Sequence, residues 1–108
     1  MANNRPAGVV FAELFALISA ARISITETCT IIDVSREAWR GYANGDWAMR
    51  ERVKKRAEVM VESVQYYIDR AVLPTTDASR LKAALEKISR KVTDECGAPE
   101  RKSKGGAP

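Results

Sequence analysis

Histidine is absent from this sequence of 108 residues, and cysteine occurs only twice, at Cys29 and Cys96. Histidine is the commonest general base and metal ligand, and the chain also lacks a glycine-rich phosphate loop and any metal-ligand spacing. We therefore expect no catalytic residue, no metal and no other cofactor, and we predict that the protein is not an enzyme. The cysteines stand 67 positions apart with no recognisable signal peptide before them, which favours a reduced, cytoplasmic protein.

Long apolar runs are missing as well. Residues 9–21 are rich in apolar side chains, but this stretch is too short to span a bilayer and is interrupted by Glu13. No secretory leader pattern is visible. The sequence therefore predicts no membrane association, and it shows no separate domain that would bind a small-molecule ligand.

Alternation of apolar and polar residues with period two is absent, which argues against strands. Apolar residues instead recur at helical spacing, and this pattern predicts an all-α fold, a compact bundle of about five helices with flexible termini. Phe11 and Phe15 widen the stripe of the first helix, which we expect to be buried on more than one side. The segments 1–8 and 97–108 lack core-forming residues, so we expect a flexible N-terminal arm and a flexible basic tail. The expected helices span 9–21, 25–32, 36–43, 47–72 and 78–95.

Local signals mark where several of these helices begin and end. Ser24 opens a capping-box pattern, and Ser35 is a typical N-cap for the helix that follows it. Asp46 is expected to cap the long helix 47–72, and Pro74 is expected to stop it.

Positive charge is concentrated in the middle of the chain. The net charge is +4, and residues 36–56 alone carry seven basic against three acidic side chains. A basic field of this kind suits a polyanionic partner. Contacts to phosphate give affinity without sequence information, and we predict them for four side chains at the start of the long helix, Arg50, Arg52, Lys54 and Lys55.

Two short predicted helices joined by a tight turn have the pattern of a helix-turn-helix. Cys29 is the small residue that allows the two helices to cross closely, and Trp39 and Tyr42 share the inner face of the second helix. The opposite face carries side-chain types that can reach base edges in a major groove. These candidate base-contacting residues are Ser35, Arg36, Glu37, Arg40 and Asn44.

The segment DVSREAWRGYANG, residues 33–45, resembles the helix-turn-helix domain of the phage repressor and Cro type. The resemblance extends over about residues 9–70, with the motif itself in 25–45, and implies a compact helical bundle that binds a palindromic operator as a dimer. It also implies that Thr26 lies near a phosphate contact. Where this family usually has glycine in the turn, the chain has Asp33, which tolerates a left-handed conformation. The recognition positions that the resemblance implies are Ser35, Arg36, Glu37 and Arg40.

On this interpretation residues 9–72 form a helix-turn-helix DNA-binding domain, and residues 76–96 form a C-terminal helix for packing or dimerisation. The dimer interface is left open between that last helix and the apolar stripe of residues 60–72. The seam of the last helix consists of Leu81, Leu85, Ile88 and Val92.

The leading hypothesis is a sequence-specific transcriptional regulator of double-stranded DNA, located with the nucleoid in the cytoplasm. It would be a repressor of the kind that phages or plasmids use to control their own promoters, acting as a homodimer on a palindromic operator. Two alternatives stay open. One is a helical protein–protein interaction module such as an antitoxin or anti-restriction factor, and the other is a plasmid-maintenance DNA-binding protein.

Overall fold

Five α-helices and no strand make up the part of the chain that the structure, a computed structural model, describes, which is residues 5–100. The predicted all-α class is confirmed. The helices are α1 Ala7–Ala21, α2 Ile25–Ile32, α3 Arg36–Asn44, α4 Glu51–Asp69 and α5 Ala78–Cys96.

The two short helices begin where the local signals predicted. The side chain of Ser24 accepts a hydrogen bond from the Glu27 amide at 3.0 Å, and the side chain of Ser35 accepts one from the Ala38 amide at 3.0 Å. Each bond satisfies one of the backbone donors that a helix N-terminus leaves without an intrahelical partner. Gly45 closes α3 in the left-handed conformation, with φ 81°.

The start of α4 differs from the prediction. Asp46 was expected to cap a helix from residue 47, but α4 begins at Glu51 and has no side-chain cap. The amides of Asp46 and Trp47 both bond to the carbonyl oxygen of Gly41, at 2.9 and 3.2 Å, so the chain folds back along α3 before the long helix starts. The ring of Trp47 packs directly on Gly41.

The end of α4 also differs. Pro74 was expected to stop the helix, but α4 ends at Asp69, five positions earlier. Ala71 takes a left-handed conformation with φ 60°, and the amide of Val72 bonds to the carbonyl oxygen of Tyr67 at 2.9 Å. A left-handed residue together with this hydrogen bond ends the helix, so Pro74 is not the residue that stops it.

The core lies on both sides of α4, which packs against α1, α2 and α5. Met60 and Val64 of α4 and Ile88 and Val92 of α5 have no exposed surface. Both stripes that were left open as dimer interfaces are therefore largely used inside the domain. The C-terminal helix packs on the bundle through its seam.

The second flank of the first helix is only partly buried. Val10, Leu14 and Ile18 face the core and Phe11 packs against it, whereas Phe15 is 47% exposed, so the expected wider burial is wrong for Phe15. The reason is that only short α3 covers this flank of α1. The Phe11 ring lies 4.7 Å from the Trp39 ring, while Phe15 lies further out, 6.3 Å from Trp39.

Both ends of the described chain make contacts with the rest of the domain. Residues 7 and 8 belong to α1, and Arg5 forms an ion pair with Glu13. Within the segment predicted to be a flexible tail, Gly97 makes a hydrogen bond to α4 and Glu100 makes one to the turn after α2. The rest of both predictions, residues 1–4 and 101–108, lies outside the described residues.

We predict that Gly41→Ala destabilises the protein and displaces Trp47. A Cβ at this position would lie 2.5 Å from the nearest Trp47 ring atom, closer than contact distance. The gain in helix propensity, up to about 1 kcal/mol, is outweighed by an overpacking cost of about 1–3 kcal/mol. Denaturant unfolding should show the loss, and tryptophan emission should shift to the red as Trp47 becomes more exposed.

Gly8→Ala is the matched control, because nothing lies within 4 Å of a Cβ built there. It should leave the emission spectrum unchanged and should not lower the free energy of unfolding. Equal behaviour of the two variants would show that Trp47 does not pack on Gly41.

Candidate functional site

Helices α2 and α3 are joined by the three residues 33–35 and pack against each other. The side chains predicted to lie between the helices do so, since Cys29 and Trp39 are buried and Tyr42 is partly buried. Ile32 and Val34, on either side of Asp33, are buried as well. Burial of apolar side chains on both helices and in the turn fixes the two helices as one unit. The outer surface of that unit is the candidate site.

The exposed face of α3 is narrow and polar. At about 100° per residue, Arg36, Arg40, Asn44 and Glu37 fall within an arc of roughly 100° on the helix surface, and all four are exposed. The inner face of α3 lies opposite this arc. Four of the five predicted base-contacting side chains therefore share one solvent-facing surface.

Ser35, the fifth predicted base-contacting residue, has a structural task. Its hydroxyl oxygen accepts the N-cap bond of α3, and the residue is only partly exposed. Its hydroxyl hydrogen is not used in that bond. Ser35 thus lies at the edge of the surface rather than at its centre.

Arg36 and Thr26 join the two helices across this surface. The Arg36 Nη1 atom donates a hydrogen bond to Thr26 Oγ1 at 2.7 Å, and both residues are exposed. The other guanidinium donors of Arg36 remain available to an acceptor. The side chains of Arg40 and Glu37 make no hydrogen bond or ion pair to any other residue in the described range 5–100.

The four predicted phosphate-contacting residues of the basic run fall into two groups. Arg50 and Lys55 are exposed. Arg52 is engaged inside the molecule, because its Nη2 atom lies 2.7 Å from an Asp33 carboxylate oxygen. The side chain of Lys54 is only 13% exposed and lies 4.0 Å from Glu51.

Arg50 lies close to α3 as well. Burial raises the pKa of the Tyr42 hydroxyl above its ordinary value, and the positive charge of Arg50 opposes that rise. Tyr42 packs against the core on the inner side of α3, so this interaction concerns the side of the helix opposite Arg36 and Arg40.

Arg56 differs from the rest of the basic run, because it is only 1% exposed. Its Nε and Nη2 atoms donate to the carbonyl oxygen of Ile31 at 3.2 and 3.0 Å, and Nη1 donates to the carbonyl oxygen of Gly97 at 2.6 Å. Burial, together with the charge of Arg52, lowers the pKa of Arg56 below its ordinary value. This arginine cannot reach a ligand; it ties the last turn of α2 to α4 and to the segment after α5.

Asp33 joins the same structure from the turn. It is buried, it takes the left-handed conformation with φ 68°, and its Oδ2 atom accepts bonds from Arg52 and from the Glu100 amide, the latter at 2.8 Å. The carboxylate thus fixes the turn before α3 to α4 and to the chain after α5. A glycine would supply the backbone conformation but not these bonds.

An open groove of about 860 Å³ lies between α1 and α4. Two of its charged side chains are engaged within the molecule, since Arg5 pairs with Glu13 and the Arg70 guanidinium lies 3.5 Å from the centre of the Tyr66 ring. Residues 5–100 contain no group of three potential metal ligands, and no helix among them is long and apolar enough to cross a bilayer.

No known protein family, characterised protein or solved structure that was compared with this chain gives a match. The candidate site combines a polar face of α3 with an adjoining hydroxyl on α2. The turn before α3 is fixed by Arg52, Arg56 and Asp33.

We predict that Asp33→Gly destabilises the protein by about 1–3 kcal/mol. Glycine removes the strain of the left-handed backbone, but it also removes the acceptor of Arg52 and of the Glu100 amide, and hydrogen bonds to charged groups contribute about 1.5–3 kcal/mol each. Asp33→Asn, which tolerates the same backbone and keeps one acceptor oxygen, should lose less. Denaturant unfolding of the parent and the two variants measures their free energies of unfolding and so gives the order of stability.

If Asp33 matters only for its backbone conformation, the glycine variant would be as stable as the parent or more stable. If, in addition, the asparagine variant is no more stable than the glycine variant, the hydrogen bonds of the Asp33 carboxylate do not stabilise the protein.

Proposed function

We propose that the protein is a sequence-specific double-stranded DNA-binding regulator of transcription that inserts α3 into the major groove. The observation that carries the proposal is the exposed arc of Arg36, Glu37, Arg40 and Asn44 on a short helix held by a three-residue turn. Arginine can hold guanine through two hydrogen bonds, asparagine can do so with adenine, and glutamate accepts from cytosine.

The surroundings of this arc supply the non-specific part of binding. Thr26 adjoins it through its bond to Arg36, and Arg50 and Lys55 are exposed at the start of α4. Cations and hydroxyl groups beside a recognition helix contact phosphates and set its register on the duplex. Arg52 and Lys54 are assigned to the scaffold in this proposal, because their side chains are paired or largely covered.

The proposed activity is repression by occupancy, in which the protein covers an operator that overlaps a promoter. The resemblance of residues 33–45 to phage repressors suggests control of the protein's own promoter on a mobile element. Such a protein would act in the cytoplasm with the nucleoid. Plasmid maintenance through the same DNA-binding surface is a variant of this proposal.

Self-association would extend the recognition site, because a single recognition helix reads few base pairs and dimers read two half-sites about 34 Å apart. The surface of α1 suits a second copy of this chain. Val9 and Phe15 are 46% and 47% exposed there, and Glu13, the one charged side chain within α1, is paired with Arg5. A face without net charge does not repel its copy in a protein of net charge +4.

We predict that the protein binds DNA from just upstream of its own gene about a thousandfold more tightly than a scrambled duplex. The double variant Arg36→Ala, Arg40→Ala should lose much of this preference, with a fall in affinity for the upstream duplex of roughly thirtyfold or more, since each bidentate base contact contributes about 1–3 kcal/mol. Fluorescence anisotropy at several salt concentrations measures both quantities.

The matched control is Arg80→Ala, Arg90→Ala, which removes the same charge from exposed positions on α5. If both double variants lose the same affinity for DNA, the effect of Arg36 and Arg40 is due to their charge alone and not to base contacts. Failure of the parent protein to bind either duplex would favour the protein–protein interaction module, for which the exposed apolar face of α1 is the supporting observation.

We predict that Phe15→Glu produces a monomer from a protein that is otherwise dimeric, because it places an unpaired charge in the exposed apolar face of α1. Sedimentation velocity measures the change. Tyr66→Glu on α4 is the matched control, since Tyr66 is another exposed aromatic residue, 48% exposed. Dissociation by Tyr66→Glu but not by Phe15→Glu would place the interface on α4 instead.

A further inference from the structure

We propose that Trp47 contacts the sugar–phosphate backbone of the duplex, at the rim of the major groove that α3 enters. This inference rests on the proposed DNA-binding function and adds to it a contact from outside α3. Trp47 belongs to the segment between α3 and α4, and its side chain is 52% exposed. The position of the ring on α3, its exposure and its donor atom all point to this contact.

The turn after α3 fixes where Trp47 lies. Gly45 takes the left-handed conformation and reverses the chain, with φ 81°. The amides of Asp46 and Trp47 then donate to the carbonyl oxygen of Gly41, at 2.9 and 3.2 Å. A Cβ at position 41 would lie 2.5 Å from the Trp47 ring, so the ring rests in the space that a side chain there would fill. Two backbone bonds and one close packing contact therefore hold the indole against α3.

Gly41 adjoins the exposed arc that we assign to base contacts. At about 100° per residue, Gly41 falls about 40° beyond Glu37 around the helix axis, on the side away from Arg36. It also lies about 7.5 Å further along the axis than Arg36. When the N-terminal residues of a recognition helix meet base edges, its C-terminal half is nearer the rim of the groove, where the sugars and phosphates are. The Trp47 ring, which packs on Gly41, borders the arc at this end.

The chemistry of the indole suits the backbone of a duplex. Its Nε1–H group is a hydrogen-bond donor, and it makes no hydrogen bond to any other residue in the described range 5–100. An indole presents an apolar body and one polar donor, which match a deoxyribose and the phosphate beside it. Every base pair carries these groups, so the contact adds affinity without base preference.

The other large apolar side chains that are exposed in residues 5–100 lie elsewhere. Val9 and Phe15 are on α1, where Phe15 neighbours Trp39 on the inner side of α3. Tyr66 is on α4. Among these exposed side chains, Trp47 is the one that borders the outer arc of α3.

The first test is the DNA affinity of Trp47→Phe, which keeps an aromatic ring at this position and removes the Nε1–H donor. Binding to upstream and scrambled duplexes should weaken by the same factor, roughly threefold to tenfold, the size expected for one neutral hydrogen bond. The slope of log affinity against log salt should not change, because no charge is removed. The matched control is Tyr66→Phe, which removes a donor from another exposed aromatic residue and should leave both affinities unchanged.

A second measurement reports the contact in the parent protein. Acrylamide, a neutral quencher, should quench the emission of Trp47 in the free protein and should quench it less when a duplex is bound. Trp39, the other tryptophan, is only 5% exposed. The emission of Trp47→Phe should therefore be quenched weakly, and equally with and without DNA.

Unchanged affinity of Trp47→Phe, or equal quenching of the parent with and without DNA, would overturn the contact. If the parent still prefers upstream DNA, the proposed function stands without it. A loss of affinity confined to the upstream duplex would also overturn the backbone contact, because Trp47 would then be reading a base. A parent protein that binds neither duplex would remove the proposed function, and the contact would fall with it.

Discussion

The position of the candidate recognition helix depends on hydrogen bonds between α4 and the end of α2. The last carbonyl groups of a helix have no partner within it, and Arg56 donates to that of Ile31 from a fully buried position. A buried guanidinium is costly unless its donors are satisfied, so Arg56 and the carbonyl oxygens that it binds stabilise each other. Asp33, two residues further on, is bound by Arg52 in the same way. Because both attachments lie at the turn, α3 is oriented by a charged network behind it and not only by its apolar contacts.

This network divides the basic run of the sequence into two functions. Arg52 and Arg56 point into the molecule and fix the turn, while Arg50 and Lys55 are exposed. The net charge of residues 50–56 therefore overstates the positive potential at the surface of α4, because Arg52 is paired and Arg56 is buried. Arg52 and Arg56 hold the turn before α3, and a site built on a supported helix is more precise than a site on a loop.

Local signals predicted the parts of the site that depend on neighbours in sequence. The N-cap at Ser35 and the left-handed backbone at Asp33 follow from side-chain chemistry within a few residues, and both are present. The start of α4 was not predictable in this way, because it depends on Trp47 folding back onto Gly41. The burial of Arg56 did leave a signal. Position 56 falls between Val53 and Met60 on the apolar stripe of the helix, and a charge on that stripe indicates a buried partner.

Aromatic packing links the two faces to which we assign function. The Phe11 ring on α1 lies 4.7 Å from the ring of Trp39 and 6.1 Å from that of Tyr42, both on the inner side of α3. Rings packed at these distances attract one another in preferred geometries. The apolar outer face of α1 and the polar outer face of α3 are consequently held together by one aromatic cluster. If two copies associate through α1, the separation of their recognition helices is set by this packing and not by a flexible linker. The distance between the operator half-sites would then be fixed, because the packing of Phe11 against α3 sets the position of each recognition helix relative to the dimer interface.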